Sequence, residues 1–347
     1  MKNISRDSVF TISFTQLSIS FLTRGACFSF LIFPAMFFSC TPTIDLEGIT
    51  DNDYTKYSIE KVASHEPEIT TLDAFFFEND SKGRLDCYQR ISYPESTCNL
   101  ASGSGPKTLF LIANSKKDKY EWAEIKSLKT IADITIELED ERLDMPVMTS
   151  LQRTTAGQEI SIDLSPLMSE IVVHSIRCDF SGKPYSHEPF ILSRIFLTYV
   201  NASCSIIPDE KVHPLRIINA GMLDEAHLQS FYEKDIIVKN IESIINKDRT
   251  ELNCSLFCYA NNPTEESIGS PFTKLVIEGK IGNDTYYYPI RINSQGGGVT
   301  RGKAYIFDIV ITRTGVTDPD GELGTGVIDI KMEIEPWKEK DWYTVNF

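Results

Sequence analysis

The sequence predicts an all-β protein built from two tandem β-sandwich domains. Apolar and polar residues alternate with a period of two along most of the chain, in runs rich in Ile, Val, Thr, Phe and Tyr. Gly and Pro residues typical of turns separate these runs, and helical periodicity is rare. The length of 347 residues suggests about two domains at roughly 150 residues each, enough for each to enclose its own core.

The predicted strands follow this alternation in chain order. They are Thr71–Phe77, Thr108–Ala113, Ile131–Leu138, Glu159–Leu164, Ile171–Arg177, Ile195–Val200, Ile236–Lys239, Leu252–Tyr259, Leu275–Ile281, Thr285–Ile292, Ala304–Thr312 and Val327–Glu335. The turn signals between them include Ser102–Pro106, Gly182–Pro184, Gly296–Gly298 and Asp318–Gly321. Two segments, Tyr120–Leu128 and Asp224–Tyr232, are predicted as short helices.

The last predicted strand, Val327–Glu335, shows the clearest alternation. Its apolar residues are Ile328, Ile330, Met332 and Ile334, and the residues between them are charged. We expect the apolar set to face the core and the charged set to face water, as in an antiparallel sheet with one solvated face.

A domain boundary is predicted near Ser181–Pro189, where Gly, Pro, Ser and His cluster between two apolar strands. The predicted organisation is a signal segment over residues 1–39, an N-terminal β-sandwich domain over 40–183 and a C-terminal β-sandwich domain over 184–347.

The N-terminal segment is typical of an exported protein. Arg24 precedes an apolar run from Ala26 to Phe38, which is shorter than the roughly 20 apolar residues of a membrane-spanning helix. Ser39–Cys40 is similar to a bacterial lipoprotein cleavage site. This predicts that Cys40 is acylated and begins the mature chain; a plain signal peptide followed by a buried Cys40 is the alternative.

The chain is acidic, with a formal net charge of −15 at pH 7. Because like charges repel, this charge argues against nucleic acid or an anionic membrane surface as a partner. It favours a soluble surface and indicates no particular ligand.

Export makes disulfides possible. Removal of Cys27 and acylation of Cys40 leave Cys87, Cys98, Cys178, Cys204, Cys254 and Cys258, whose pairing the sequence does not determine. Cys254 and Cys258 lie four residues apart in one predicted strand, roughly 13 Å, whereas a disulfide allows a Cα separation of about 7 Å. We therefore predict that these two are small core residues.

The sequence contains no motif that indicates catalysis or cofactor binding. Its five histidines form no pair at metal-ligand spacing, and it has no Cys-x-x-Cys. No phosphate loop, dinucleotide fingerprint or nucleophile elbow follows a predicted strand. Asp318, Asp320 and Glu322 lack the distal bidentate Glu of a calcium loop, so we interpret them as a polar turn. We predict no enzymatic activity, no cofactor and no metal.

Several patches along the chain resemble the fimbrillin family, the subunits of type V pili of Bacteroidales. In the N-terminal half they are Ile69–Asn79, Leu109–Ser115 and Met145–Ser150. In the C-terminal half they are Leu256–Asn262, Thr273–Gly279, Tyr287–Ile290, Val299–Tyr305, Val327–Trp337 and Thr344–Phe347. Their order and spacing carry the resemblance, which spans nearly the whole mature chain.

The resemblance implies two transthyretin-like Greek-key sandwiches, export to the outer membrane as a lipoprotein, and assembly with other fimbrial subunits. It also implies that a protease removes the first strand of the N-terminal domain and that a neighbour's strand replaces it. The C-terminal segment 327–347 supplies the donor candidates, which are Ile328, Ile330, Met332, Ile334, Trp337, Val345 and Phe347. For Ile328–Ile334, completing their own sandwich is an equal alternative.

The chain departs from the family pattern in one respect. Shaft subunits of the family are usually cut after an Arg, but no Arg occurs between Thr41 and Gly83. Lys56 and Lys61 are therefore the candidate sites of proteolytic maturation. A subunit that is cut at neither would keep its lipid and anchor the pilus, so shaft, tip and anchor positions stay open.

A second class of function is a surface lipoprotein that binds glycans or another ligand. Tyr286–Tyr288 places three aromatic rings in one predicted strand, and aromatic faces can stack on sugars. No pair among the 49 acidic residues stands out as the carboxylates of a glycoside hydrolase.

Overall fold

The structure of the chain is a computed structural model that describes residues 55–60, 69–93, 97–118, 121–122, 124–155, 164–207, 212, 214–220, 231, 234–263, 267, 269–324 and 326–337. For residues 55–60, 97–99, 101 and 155 it describes the backbone only. No helix among the described residues is long and apolar enough to cross a membrane. The described chain is nearly all β, as predicted.

The N-terminal half contributes eight strands and one short α-helix to the described structure. They are β1 (Thr55–Glu60), β2 (Thr71–Glu78), β3 (Leu85–Ser92), β4 (Thr97–Ser102), β5 (Pro106–Ala113), α1 (Leu128–Ala132), β6 (Thr135–Glu137), β7 (Met148–Thr155) and β8 (Ser165–Pro166). A single 3-10 turn, Leu138–Asp140, follows β6.

The described part of the C-terminal half is almost entirely strands joined by turns and loops; of the predicted helix Asp224–Tyr232 the structure describes Phe231 alone, which is helical. The strands are β9 (Met168–Cys178), β10 (Phe190–Thr198), β11 (Val200–Asn201), β12 (Ser203–Ser205), β13 (Ile217–Ile218), β14 (Val238–Ile245), β15 (Thr250–Tyr259), β16 (Lys274–Ile281), β17 (Asp284–Arg291), β18 (Lys303–Ile311) and β19 (Ile328–Pro336). A 3-10 turn, Ser294–Gly296, precedes β18.

The N-terminal sheet is antiparallel and has the strand order β3-β2-β5-β7-β8. Both of its faces are apolar, because β2 and β5 alternate between two hydrophobic clusters. Phe75 and Phe110 lie in one cluster, together with α1 and Trp122, whose ring centroid is 5.4 Å from that of Phe75. Phe76 and Leu111 lie in the other. Central strands that are buried on both faces account for the continuous apolar runs in the sequence.

Two further sheets form the C-terminal sandwich. The first C-terminal sheet has the order β14-β10-β16-β17, and the second has the order β15-β9-β18-β19. All pairs are antiparallel except β9 with β18. Buried side chains of both sheets, such as Ile277 and Phe307, share one hydrophobic core.

Sheet pairing places β9 in the C-terminal sandwich, although β9 precedes the predicted boundary at residue 183. Val173 of β9 lies opposite Cys254 of β15 on one side and Phe307 of β18 on the other. The boundary that we propose from sheet pairing therefore lies before Met168, one strand earlier than the sequence predicts. The cluster Ser181–Pro189 is the turn between β9 and β10 within one sandwich.

Most predicted strands are present within a few residues of their predicted bounds, but Ile131–Leu138 is wrong as a single strand. The Ser127 hydroxyl accepts the Thr130 amide N–H at 3.2 Å and caps α1. The predicted strand is therefore divided between α1, β6 and the 3-10 turn. Of the predicted helix Tyr120–Leu128, Glu121, Trp122 and Leu128 are helical among the described residues, and Leu128 is the first residue of α1.

Candidate assembly edges

The strands β1 and β4 form a two-stranded cover over the N-terminal sheet, which we call the cover pair. They are antiparallel, with Tyr57 opposite Leu100 and Ile59 opposite Cys98 in the backbone register. Leu100 of β4 is buried in the same cluster as Leu72, Phe76, Leu109 and Leu111 of the sheet beneath. The cover pair therefore closes one apolar face of the N-terminal sheet.

Within the described strands, β1 pairs with β4 alone, so the backbone ladder holds it on one side only. Lys56 is the second residue of β1 and Lys61 follows its last residue in the sequence. The two predicted cleavage positions thus lie within β1 and directly after it. Cys40 and Lys61 fall outside the described residues, and for Lys56 the backbone alone is described.

The predicted donor residues of β19 lie in the second C-terminal sheet, where β19 pairs with β18 from Ile328 opposite Ile311 to Pro336 opposite Lys303. Ile330 and Ile334 are 41% and 45% exposed. The expectation that the apolar face of this strand is buried is therefore wrong for these two residues. The reason is that β19 is an edge strand and has no neighbour on its second side among the described strands.

Trp337 follows β19 and is only 7% exposed. Its ring packs against Phe257 with centroids 5.7 Å apart, and its amide N–H donates to the Gly302 carbonyl at 3.0 Å. The other donor candidates after β19, Val345 and Phe347, lie outside the described residues.

The edge of β17, by contrast, is capped by the loop between β18 and β19. Val316 and Tyr287 exchange two backbone hydrogen bonds, of 2.8 and 3.0 Å. Further along the loop, Asp320 accepts hydrogen bonds from the Lys274 ammonium and, at 2.8 Å, from the Tyr199 hydroxyl. We call residues 312–327 the strap, because it closes this edge of the sandwich.

The strap contains the turn that the sequence singled out for its alternating carboxylates. Asp320 binds Lys274 and Tyr199, and Glu322 binds Arg291 at 2.8 Å. These carboxylates therefore have protein partners, in agreement with a polar turn. No group of three or more His, Cys, Asp or Glu side chains in the described part of the chain has an arrangement that could hold a metal ion.

The tyrosine run of β17 does not present three rings to solvent. Tyr288 is fully buried, stacks edge-to-face against Phe190 at 5.7 Å, and donates its hydroxyl hydrogen to the Arg313 carbonyl at 2.9 Å. Tyr286 and Tyr287 are half-buried and pack against the core. The run is therefore mostly a packing element.

Five cysteines whose side chains are described are free thiols, namely Cys87, Cys178, Cys204, Cys254 and Cys258. Cys254 and Cys258 are 4% and 0% exposed, which confirms that they are small core residues. Burial raises the pKa of the Cys258 thiol to about 12, so this thiol stays protonated and inert.

The junction between the N-terminal sheet and the C-terminal sandwich contains polar residues that the sequence did not single out. Buried Glu141, at the end of the 3-10 turn after β6, accepts the Tyr259 hydroxyl at 3.0 Å and the Val147 amide at 2.9 Å. Burial raises the pKa of Glu141 to about 7, and these two hydrogen bonds oppose the rise. Glu141 thereby joins the N-terminal half to β15.

Arg301, which precedes β18, provides a second connection across the junction. Its guanidinium donates to the carbonyls of Pro166 at 3.0 Å and Ser165 at 2.8 Å, both in β8. It also donates to the Thr149 hydroxyl of β7 at 2.7 Å. One side chain of the C-terminal sandwich thus binds the last two strands of the N-terminal sheet.

A third connection combines a short sheet with an ion-pair cluster. Strand β6 of the N-terminal half pairs with β12, with Ile136 opposite Cys204. Arg216 then binds Glu137 at 2.9 Å and Glu139 at 2.6 Å. The two halves of the chain therefore meet through backbone, charge and hydrogen-bond contacts.

The architecture defines an all-β protein in which an N-terminal sheet with its cover pair contacts a two-sheet sandwich, and β19 is an edge strand of that sandwich among the described strands. No protein-family model matches the sequence, and no curated protein matches it. Solved structures do match it in fold. A Bacteroides eggerthii protein described as a cell adhesion protein is 15% identical, with a TM-score of 0.60, covering 78% of this chain and 89% of that one.

Two fimbrial proteins of Porphyromonas gingivalis match as well. The fimbrilin FimA is 12% identical with a TM-score of 0.53, covering 80% of this chain and 94% of that one. The tip fimbrial protein Mfa3 is 13% identical with a TM-score of 0.51, covering 82% and 99%. The chain therefore has the fold of these fimbrial and cell adhesion proteins, and the predicted all-β fold class is confirmed.

Proposed function

We propose that this protein is a structural, non-enzymatic subunit of a cell-surface fimbria. Its fold is shared with proteins described as a fimbrilin, a tip fimbrial protein and a cell adhesion protein. In this proposal Cys40 carries the lipid with which the subunit reaches the outer membrane, and the partners of the subunit are other fimbrial subunits.

The cover pair is the observation that supports assembly by strand exchange. Because β1 is hydrogen-bonded to β4 alone among the described strands, it can leave without disrupting the five strands beneath. Its departure would free the backbone groups of β4 beside an apolar cluster that includes Leu100 and Leu111. A strand of another subunit would then pair with β4 by β-augmentation.

The position of β1 favours Lys61 over Lys56 as the maturation site. A cut after Lys61 separates the whole of β1 from the rest of the domain. A cut after Lys56 would leave four residues of β1, Tyr57–Glu60, still paired with β4. A subunit that is cut would lose Cys40 and enter the shaft or tip, and one that is not cut would stay anchored by its lipid.

The donor role of β19 requires a rearrangement. Ile328, Ile330, Met332 and Ile334 are paired with β18, so this strand would have to leave its own sheet before it could fill a neighbour's groove. Val345 and Phe347 follow β19 in the sequence, and this position keeps them as candidate donor residues.

Mild trypsin treatment of the purified exported chain tests strand exchange. Cleavage after Lys61 should release β1 and give oligomers that resist SDS. Mass spectrometry of the new N-terminus distinguishes this cut from cuts at the exposed residues Lys82 and Arg84. Lys61→Ala should abolish the oligomers, and the matched variant Lys56→Ala should retain them. A chain that loses β1 and stays monomeric would contradict strand exchange.

Immunogold labelling of intact cells tests the fimbrial role itself. Label should follow surface fibres, or lie at their tips or bases according to the position of the subunit. Label scattered over the cell surface without fibres would overturn the proposal.

A further inference from the structure

Strand β4 loses its only backbone ladder when β1 leaves. Among the described strands it pairs with β1 and with no other. The proposed strand exchange nevertheless requires β4 to keep its place, because the incoming strand pairs with it. Burial of Leu100 favours contact with the sheet beneath, but hydrophobic burial is non-directional and does not fix a position. A directional contact must therefore hold β4 after β1 has gone.

Such a contact lies at the C-terminal end of β4. Gly103, the residue that follows this strand, donates its amide N–H to the Asp86 carboxylate of β3 at 2.8 Å. The approach depends on glycine, because a Cβ at position 103 would lie 2.9 Å from Asp86 Oδ1 and would push the carboxylate away. The connection 103–105 ties β4 to β5 in the chain, and the hydrogen bond determines where that connection turns.

The Asp86 carboxylate is held in turn by a buried lysine. Lys107 of β5 is only 2% exposed, and its ammonium lies 3.3 Å from Asp86 Oδ2 and 2.8 Å from Glu78 Oε1 of β2. A buried ammonium is costly unless it is paired, and the two carboxylates supply the pairing. Burial disfavours the charged form, but the carboxylates outweigh it and raise the pKa of Lys107 above its ordinary value. Lys107 therefore stays charged and keeps Asp86 in place.

We propose that Asp86, itself held by Lys107, is the residue that positions β4 as the receiving strand once β1 has left. The contact connects Gly103 to β3 and, through Lys107 and Glu78, to β5 and β2. These three strands belong to the five-stranded sheet, which strand exchange leaves intact. The inference rests on the proposed strand exchange and adds the residue that keeps its receiving edge in place.

The thiol of Cys87 reports whether β4 stays on the sheet. Cys87 is half-buried and packs against the apolar cluster that contains Leu100 of β4. Burial raises the pKa of this thiol to about 11, so it reacts slowly while it is covered. Departure of β4 would uncover it.

Alkylation of Cys87 by N-ethylmaleimide, before and after the cut at Lys61, tests the proposal in the purified exported chain. Dilute samples are treated before they assemble, and peptide mass mapping separates Cys87 from the other thiols. On cleavage, the wild-type rate should change by less than about twofold, because β4 keeps its place. Gly103→Ala should match wild type before the cut and react about tenfold faster after it. Equal ratios of the two rates in wild type and Gly103→Ala would overturn the proposal.

Variants of Asp86 separate its positioning role from its charge. Asp86→Ala should accelerate on cleavage as Gly103→Ala does, whereas Asp86→Asn, which keeps an acceptor for the Gly103 N–H, should behave like wild type. The ratio of rates after and before the cut is compared, because loss of the Asp86 charge affects the neighbouring thiol in both states. Asp140→Ala, which removes an exposed ion pair with Lys116, is the matched control. A residue with a general structural role alone would raise both rates together and leave the ratio unchanged, which would refute the positioning role.

Oligomers are scored in the same samples after concentration, so that the two proposals fail separately. A wild type that loses β1, keeps Cys87 slow to react and stays monomeric contradicts strand exchange but supports the hold of Asp86 on β4. A wild type that forms oligomers, with the same ratio of rates in Asp86→Ala, supports strand exchange and contradicts the role of Asp86.

Discussion

At the scale of single residues, Glu141 makes the stability of the junction depend on pH. Its carboxyl is buried, and burial raises its pKa from 4.5 to about 7. Tyr259, Cys204 and Arg301 lie around it. A raised pKa means that the folded protein takes up this proton more readily than the unfolded chain does. The stabilising contribution of the protonated Glu141 is therefore complete below about pH 4.5 and is lost as the pH rises through about 7.

We expect the free energy of unfolding to fall across this window, with a slope that approaches about 1.4 kcal/mol per pH unit from Glu141 alone. Burial also raises the pKa of Asp73 to about 6, although the hydrogen bond from Tyr88 opposes the rise. Asp73 therefore makes the free energy of unfolding fall with pH in the same direction as Glu141 does. Glu141→Gln should flatten the curve measured by urea unfolding between pH 5 and 7. Glu124→Gln, at an exposed position, should leave it unchanged. An unchanged slope in Glu141→Gln would contradict this assignment.

Residue roles were predictable from the sequence where they depend on local spacing alone. The spacing of Cys254 and Cys258 sufficed to place both in the core without a mutual disulfide. The roles of Glu141 and Arg301 depend on Tyr259 and on Ser165, which lie more than a hundred residues away in the chain. No local pattern distinguishes these two charged residues from the other 81, and only the packing of the two halves gives them partners.

At the scale of elements, we expect two glycine substitutions in the strap to differ in their effect on stability. A Cβ at Gly315 would lie 2.3 Å from the Tyr287 carbonyl oxygen, which is too close for any side chain. Gly315→Ala should therefore separate Val316 from Tyr287 and cost about 1–3 kcal/mol of stability. Gly324→Ala, in the same strap, should cost less, because its nearest heavy atom is 3.8 Å away.

Hydrogen exchange at the Tyr287 amide checks this prediction directly. Faster exchange is expected in Gly315→Ala, while Gly324→Ala should match wild type. If both variants exchange as slowly as wild type, the strap does not hold the edge of β17.

Elements were predictable where alternation and burial agree, as in β15, β16 and β18. Strand β7 escaped prediction because only Met148 and Leu151 interrupt its polar sequence, and its strand conformation depends on the ladder with β5. In β19 the alternation indicated a strand correctly, but periodicity does not indicate whether a strand lies at the centre or the edge of a sheet. The exposure of Ile330 and Ile334 follows from that position.

At the scale of the whole molecule, we expect the hydrogen bonds of Arg301 to couple the unfolding of the two halves. Arg301→Met leaves the Ser165 and Pro166 carbonyls and the Thr149 hydroxyl without their donor. We expect a loss of about 2–3 kcal/mol, typical of hydrogen bonds from a charged group. Because the junction is weakened, the N-terminal sheet and the C-terminal sandwich should unfold in two separate transitions instead of one.

Urea unfolding followed by fluorescence and by circular dichroism tests this prediction. Arg291→Met is the matched control, since Arg291 is 41% exposed and pairs with the exposed Glu322. Loss of this exposed ion pair should lower the free energy of unfolding by less than about 1 kcal/mol. Coincident transitions in Arg301→Met would show that the remaining contacts suffice to couple the halves.

The placement of β9 between β15 and β18 also determines when the C-terminal half can fold. Ile171 pairs with Leu256 on one side and Tyr305 on the other, so neither partner is near it in the chain. In a chain synthesised from its N-terminus, this strongly apolar strand is complete well before either neighbour. Such non-local pairing is slow and leaves hydrophobic surface open to aggregation in the meantime. The hydrophobic surface of β9 therefore stays exposed until the chain has been made as far as residue 311, the end of β18.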